Sequence, residues 1–177
     1  MGVIKIPRKV LLFCGLLYAS DNMFDKARSA LEEAFGPVVK ESRGFPFTVT
    51  DYYQDELGGE ICKGFLFFER FISMDTISEV KIKTNALEKE LSISGEKRSI
   101  NLDPGYLDLA KAMLATTKDR AHRLYLKDGI YGEVEYTYHR NSYVPCPWAY
   151  PDYYQEGYLS LFNEMRRYYH VRLRTET

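Results

Sequence analysis

Apolar residues along the chain form either short continuous runs or stripes at helical spacing. Residues 9–18 are a short run rich in Val, Leu and Phe, which predicts a strand buried on both faces. Between residues 23 and 35 apolar side chains recur every three or four positions and stop at a Gly-Pro pair, which predicts a helix. A short second strand is expected at residues 38–42, and the apolar stretch 61–68 predicts a central strand.

The next stretch completes a recognisable order of elements. Helical spacing predicts a second helix over residues 76–91, although the alternation of Val80, Ile82 and Thr84 leaves a strand as the alternative. Residues 98–102 alternate as a fourth strand, which the turn sequence Asp103-Pro104-Gly105 is expected to end. Strand, helix, strand, strand, helix, strand is the order of a ferredoxin-like split βαβ core, so the fold class predicted is α+β.

A long polar interval and a C-terminal extension complete the predicted domain. Residues 43–60 contain Gly, Pro and Tyr without a regular pattern, and loops of this length are often functional. Residues 122–127 and 130–138 flank Asp128-Gly129 and predict a β-hairpin with a two-residue loop. An apolar stripe from Tyr154 to Tyr169 predicts a final amphipathic helix. One domain over residues 1–177 is expected, because this length suits a single core.

The hairpin holds the first candidate for chemistry. A two-residue loop sets Lys127 opposite Ile130 and His122 opposite Glu135, so that His122, Glu133 and Glu135 share one partly buried face and Arg123 lies on the other. Carboxylates on such a face are costly unless they are paired or used. We therefore take His122 and Glu133 as candidate catalytic residues, with a purely stabilising cross-strand pair as the alternative.

Polar residues near the hairpin extend this candidate site. Lys118, Arg98 and His122 are suited to a phosphate or carboxylate. Asp103, Glu133 and His122 are suited to a divalent metal, although neither set has diagnostic spacing. Solvated charge and ordinary turn chemistry are the alternatives. The candidate ligand-binding residues are Asn101, Asp103, Thr117, Lys118, Arg123, Glu135 and Asp152.

Composition and charge narrow the function classes. The chain has 177 residues, 45% hydrophobic and 28% charged, which is typical of a globular protein and excludes bulk disorder. A formal net charge of -1 without a basic stripe argues against nucleic acid as a partner. Three scattered cysteines and the lack of a Walker loop indicate no particular cofactor. The longest apolar run, residues 10–19, is too short for a membrane helix, so a cytoplasmic protein is expected.

Tyrosines are concentrated in the C-terminal half. Eleven of the fifteen fall between Tyr125 and Tyr169, a density that suits aromatic core strands or a subunit interface. A noncatalytic interaction or homo-oligomerisation module, with Tyr154 and Tyr158 in its interface, is therefore the alternative to a ligand site.

Several sequence blocks resemble a known family. They are residues 101–107, 114–119, 121–126 and 150–153, together with Thr50-Asp51-Tyr52-Tyr53. On these blocks the chain resembles the prokaryotic family catalogued as domain of unknown function 4416. The resemblance implies one domain over nearly the whole chain and no particular activity.

The function predicted from the candidate site residues is an enzyme or sensor that binds a small anionic, phosphoester-like ligand, with a divalent metal as an option.

Overall fold

The computed structural model describes residues 2–49, 57, 60–92 and 98–175. Within them the chain is α+β, as predicted, and part of the expected loop at residues 43–60 lies outside the described residues. The elements are β1 Val10–Tyr18, α1 Asp21–Phe35, β2 Val38–Pro46, β3 Cys62–Ile72, α2 Ile77–Glu90, β4 Ile100–Leu107, β5 Lys111–Thr116, β6 Leu124–Lys127, β7 Ile130–His139, β8 Ser142–Pro145 and α3 Glu156–Thr175, with 3-10 turns at Met74–Thr76 and Pro151–Tyr154.

All eight described strands belong to one antiparallel sheet. Their order is β2-β3-β1-β4-β5-β7-β6, and β8 pairs with β7. Helices α1 and α2 pack on one face, where Phe24 and Val80 join Leu12 of β1. Helix α3 packs on the other, where Phe162 joins Phe13. Because both faces are covered, the central strands β1 and β3 are apolar on both sides, which is the pattern that predicted them.

The predicted order of elements from β1 to β4 is confirmed, including a helix rather than a strand at α2. Ile77, Val80, Thr84 and Leu87 are all buried, so the helical spacing outweighs the short alternation within it. Ser20 caps α1, since its hydroxyl accepts a hydrogen bond from the Met23 N–H.

The turn predicted at residues 103–105 is wrong, because β4 runs straight through it. Pro104 pairs with Cys14 of β1, and the ladder between β4 and β5 begins only at Gly105. Two residues before Pro104, the Leu102 N–H points away from β1 to Glu88, so the Pro104 nitrogen lies on that same side, where no strand is paired and no ladder hydrogen bond is lost. Gly105 permits a close strand approach: a Cβ there would collide with the Met113 carbonyl oxygen of β5 and lie 2.6 Å from the Phe13 ring.

The predicted hairpin forms, but with a different register. Asp128 and Gly129 have φ of 53° and 78°, and Lys127 pairs with Ile130 as expected. A β-bulge between Tyr125 and Lys127 then pairs Leu124 with Gly132, and the strand begins only at Leu124. The expected pairing of His122 with Glu135 and the opposite-face placement of Arg123 are therefore both wrong.

Most of the C-terminal tyrosines belong to the core. Tyr158 is fully buried, with its ring centroid 4.8 Å from those of both Phe45 and Phe65, so the prediction that it serves an interface is wrong. The fully buried tyrosines are Tyr136, Tyr143, Tyr153, Tyr158 and Tyr169.

Candidate functional site

A cleft lies where the sheet opens between β4 and β5. The ladder between these strands reaches only Gly105 and Leu114, and beyond it a cavity of about 590 Å³ separates them. The unpaired edge of β4 is completed by side chains of α2. The Leu102 N–H donates to Glu88 Oε1 at 2.6 Å, and Lys81 Nζ donates to the Leu102 carbonyl at 2.8 Å. Two buried charges thus replace the missing strand partner.

The β4 wall of the cleft is a connected polar network. Arg98 donates to Asn101 Oδ1 at 2.9 Å, and Asn101 donates to Asp103 Oδ2 at 2.6 Å. Lys81 Nζ lies 3.6 Å from the other oxygen of Asp103. Burial raises the pKa of Glu88, and the neighbouring Lys81 opposes that shift.

The facing wall is organised around Glu133, a buried residue of β7. Arg123 binds it bidentately, with Nε to Oε2 and Nη2 to Oε1 both at 2.9 Å, and His122 Nε2 lies 2.9 Å from Oε2. A buried carboxylate needs such partners, because an unpaired charge in this position is strongly unfavourable. Glu133 therefore orients His122 and is not itself positioned as a free base.

Arg123 also fixes the segment that precedes β6. Its guanidinium donates to the Lys118 carbonyl and to the Tyr150 hydroxyl, each at 2.9 Å. Burial alone would lower the pKa of Arg123, but the hydrogen bonds to Glu133 outweigh it and raise that pKa. Burial, with Glu133 nearby, raises the pKa of Tyr150 as well. The chain from Lys118 to Arg123 is thus held against the loop that carries Tyr150.

His122 presents its second nitrogen away from this cluster. Nε2 faces Glu133, and Nδ1 has no hydrogen-bond partner in the part of the chain that the structure describes. The imidazole lies nearly parallel to the Trp148 indole, with centroids 6.1 Å apart and planes 18° apart. An imidazole held by a carboxylate through one nitrogen is suited to accept or donate a proton through the other.

A buried ion pair lies at the base of the cleft. Lys63 Nζ donates to Asp152 Oδ2 at 2.7 Å, and both side chains are almost fully buried. The ammonium also lies 4.6 Å from the centroid of the Tyr153 ring. The carboxylate and the aromatic face offset the desolvation of Lys63.

Glu135 lies behind the cleft, fully buried at the bulge of β7. One carboxyl oxygen accepts the Tyr150 N–H at 3.1 Å and the other has no partner among the described residues. Burial, reinforced by Glu133, raises the pKa of Glu135 to about 8. Its carbonyl accepts the Cys146 N–H at 2.8 Å, so Glu135 anchors both ends of the loop over residues 146–150.

The structure brings most of the predicted site residues into this one cleft. Those that line it are Asn101, Asp103, Thr117, Lys118, His122, Arg123, Glu133 and Asp152, whereas Glu135 does not. The predicted metal set is not assembled: both Glu133 oxygens are engaged by Arg123 and His122, and the described residues contain no cluster of three His, Cys, Asp or Glu with metal-binding geometry.

Some lining residues were not predicted. They include Lys63, Lys81, Asn85, Glu88, Arg120, Trp148 and Tyr150. A sequence signal existed for two of them, since Lys63 interrupts an apolar strand and Lys81 falls beside the apolar stripe of α2. Among the described residues the lining has six Lys and Arg side chains against four carboxylates. The cleft is therefore net positive in a chain whose formal charge is -1.

Comparison with known protein families matches residues 8–169 to the family described as Domain of unknown function (DUF4416). The chain belongs to this family. The match spans nearly the whole sequence, including both walls of the cleft, and confirms the resemblance. No curated protein and no solved structure matches the chain. Across the described residues, no helix combines the length and apolar character needed to span a membrane.

Proposed function

We propose that the cleft binds a small anionic, phosphoester-like ligand, in an enzyme or sensor that uses His122 as its acid/base group. The observation that carries this proposal is the net-positive lining of a cavity into which an oriented imidazole projects. Lys118 and Arg120 lie on the exposed segment beside His122, where cations both attract an anion and contact it directly.

The roles of the cleft residues follow from their contacts. His122 is the group placed to exchange a proton with the ligand, and Glu133 is a positioning residue that acts through it. Arg123 donates to both carboxyl oxygens of Glu133 and stabilises this wall of the cleft. The anion contacts are assigned to Lys118 and Arg120, because both line the cleft on its exposed segment, with Thr117 beside them.

Thermal unfolding in the presence of inorganic phosphate and ribose 5-phosphate, each with and without Mg²⁺, tests this proposal. A ligand at 100 times its dissociation constant should raise the midpoint by about 5 to 10 °C. The Lys118→Ala/Arg120→Ala variant should lose the shift. Lys26→Ala, which removes an exposed charge of α1 outside the cleft, should retain it. A shift that survives the double variant, or no shift with either probe, would contradict the proposal.

We further propose that residues 10–107 form a ferredoxin-like split βαβ core, within a single domain that works in the cytoplasm. The strand order β2-β3-β1-β4, with α1 and α2 on one face, supports the core. Continuation of the same sheet through β5 to β8 supports one domain.

An exposed strand edge favours a second candidate, a homo-oligomerisation module. Strand β6 is the last in the sheet order, and it exposes Leu124 by 76% and Tyr125 by 61%. Tyr154 is also half exposed. This candidate predicts a dimer by size-exclusion light scattering that Leu124→Lys dissociates. A native mass of 20.6 kDa would exclude it.

A further inference from the structure

Trp148 is an exposed aromatic ring that the fold holds rigidly. Its indole is 46% exposed and lines the cleft, while Nε1 donates to the Val134 carbonyl at 2.9 Å. One face lies against His122, and no other described ring or cation stacks on it. The two hydrogen bonds from its loop to Glu135 keep that loop on the sheet. The exposed indole surface is therefore preformed and available to a ligand.

The ring and the cations belong to one binding space. His122 contacts Trp148 and Glu133, and Arg123 joins Glu133 to the carbonyl of Lys118. The indole and the cationic segment at Lys118 are thus separated by only a few side chains. A cavity of about 590 Å³ falls in the range of pockets for organic ligands, and inorganic phosphate alone would leave most of it empty.

We infer that the ligand is a phosphorylated compound with a planar ring, such as a nucleoside monophosphate, whose ring stacks on Trp148 while its phosphate lies at Lys118 and Arg120. The inference rests on the proposed function and adds the ring to it. Asn85 also lines the cleft, and its side-chain amide makes no hydrogen bond with described residues. An amide offers both a donor and an acceptor to the polar edge of such a ring.

Calorimetric titration tests the inference. Tryptophan fluorescence cannot follow binding to the Trp148 variants, because Trp148 is the only tryptophan of the chain. The probes are ribose 5-phosphate, adenosine 5′-monophosphate, phenyl phosphate and adenosine. Native protein should bind at least one of the two ring phosphates about tenfold more tightly than ribose 5-phosphate, since stacking of one ring contributes this much. Trp148→Ala should remove that advantage, and Trp148→Phe should keep most of it.

The probes separate the two claims. A ribose 5-phosphate affinity that depends on Lys118 and Arg120, with no gain from either ring, would overturn the inference and leave the proposed function standing. A gain that survives Trp148→Ala would also overturn the inference. Binding of adenosine without any contribution from phosphate would refute the anion site, and with it both the proposed function and the inference. No binding of any of the four probes would overturn both.

Discussion

Glu133 shows how one buried residue organises the candidate site. Its carboxylate receives the guanidinium of Arg123 and faces the imidazole of His122, so stability and function depend on the same side chain. Sequence alternation identified His122 and Glu133 as neighbours in the fold. It missed Arg123 as their partner, because the bulge near Leu126 shifts the register by one residue and alternation contains no signal for a bulge.

We predict that Arg123→Met destabilises the ligand-free protein by about 3 kcal/mol, because it leaves the buried Glu133 carboxylate without its main partner. Adding Glu133→Gln should recover much of that loss. Arg28→Met breaks two partly exposed pairs, with Glu32 and Glu41, and should cost no more than about 1 kcal/mol. Urea unfolding measures all four proteins, and equal losses for the two arginine variants would refute the prediction.

Glu135 predicts a dependence of stability on pH. In the folded state the pKa of Glu135 is about 8, against 4.5 for an ordinary glutamate. The contribution of protonated Glu135 to the free energy of unfolding is therefore fully present below pH 4.5 and is lost as pH rises from about 4.5 to about 8. Glu135→Gln keeps an acceptor for the Tyr150 N–H and does not titrate.

Between pH 5 and pH 8 the free energy of unfolding of the native protein should fall, relative to Glu135→Gln, by roughly 2 to 4 kcal/mol. Urea unfolding at several pH values measures this difference. Glu90→Gln, on the exposed side of α2, is the control and should leave the native profile unchanged. Parallel profiles for the native protein and Glu135→Gln would refute the assignment.

At the scale of elements, the contact between β4 and β5 decides where the cleft begins. Gly105 lets the Met113 carbonyl approach, and past this point the strands diverge. Local sequence favoured a turn at Asp103-Pro104-Gly105. Pairing with β1 outweighs that preference, since β1 hydrogen bonds to β4 along its whole length. Strand β5 was missed because it is short and apolar on both faces.

We predict that Gly105→Ala destabilises the protein by about 3 kcal/mol, because the new methyl group meets backbone that cannot move without breaking the ladder. Gly132→Ala is the matched control. There the methyl group would lie 2.6 Å from the far end of the Met113 side chain, which can rotate away, so the cost should be clearly smaller. Unfolding midpoints in urea compare the two variants, and equal destabilisation would contradict this account.

At the scale of the whole molecule, an eight-stranded sheet is covered on both faces yet open between two of its strands. The sequence predicted the helices and the hairpin loop, because periodicity and turn chemistry are local, and most of the site residues that it nominated line the cleft. It did not predict Trp148 or Lys63 as lining residues. Their positions depend on how the loop over residues 146–152 returns across the end of the sheet, which is a long-range property.

The emission of Trp148 tests the central claim most directly, because it is the only tryptophan in the chain and it lies in the cleft wall beside His122. Titration with ribose 5-phosphate and adenosine 5′-monophosphate should change the emission along a saturable curve. The affinity obtained from that curve should fall as salt is added. Lys118→Ala/Arg120→Ala should abolish the change, and Lys26→Ala should preserve it. An emission that neither phosphoester alters, or a curve unaffected by the double variant, would contradict an anion site in this cleft.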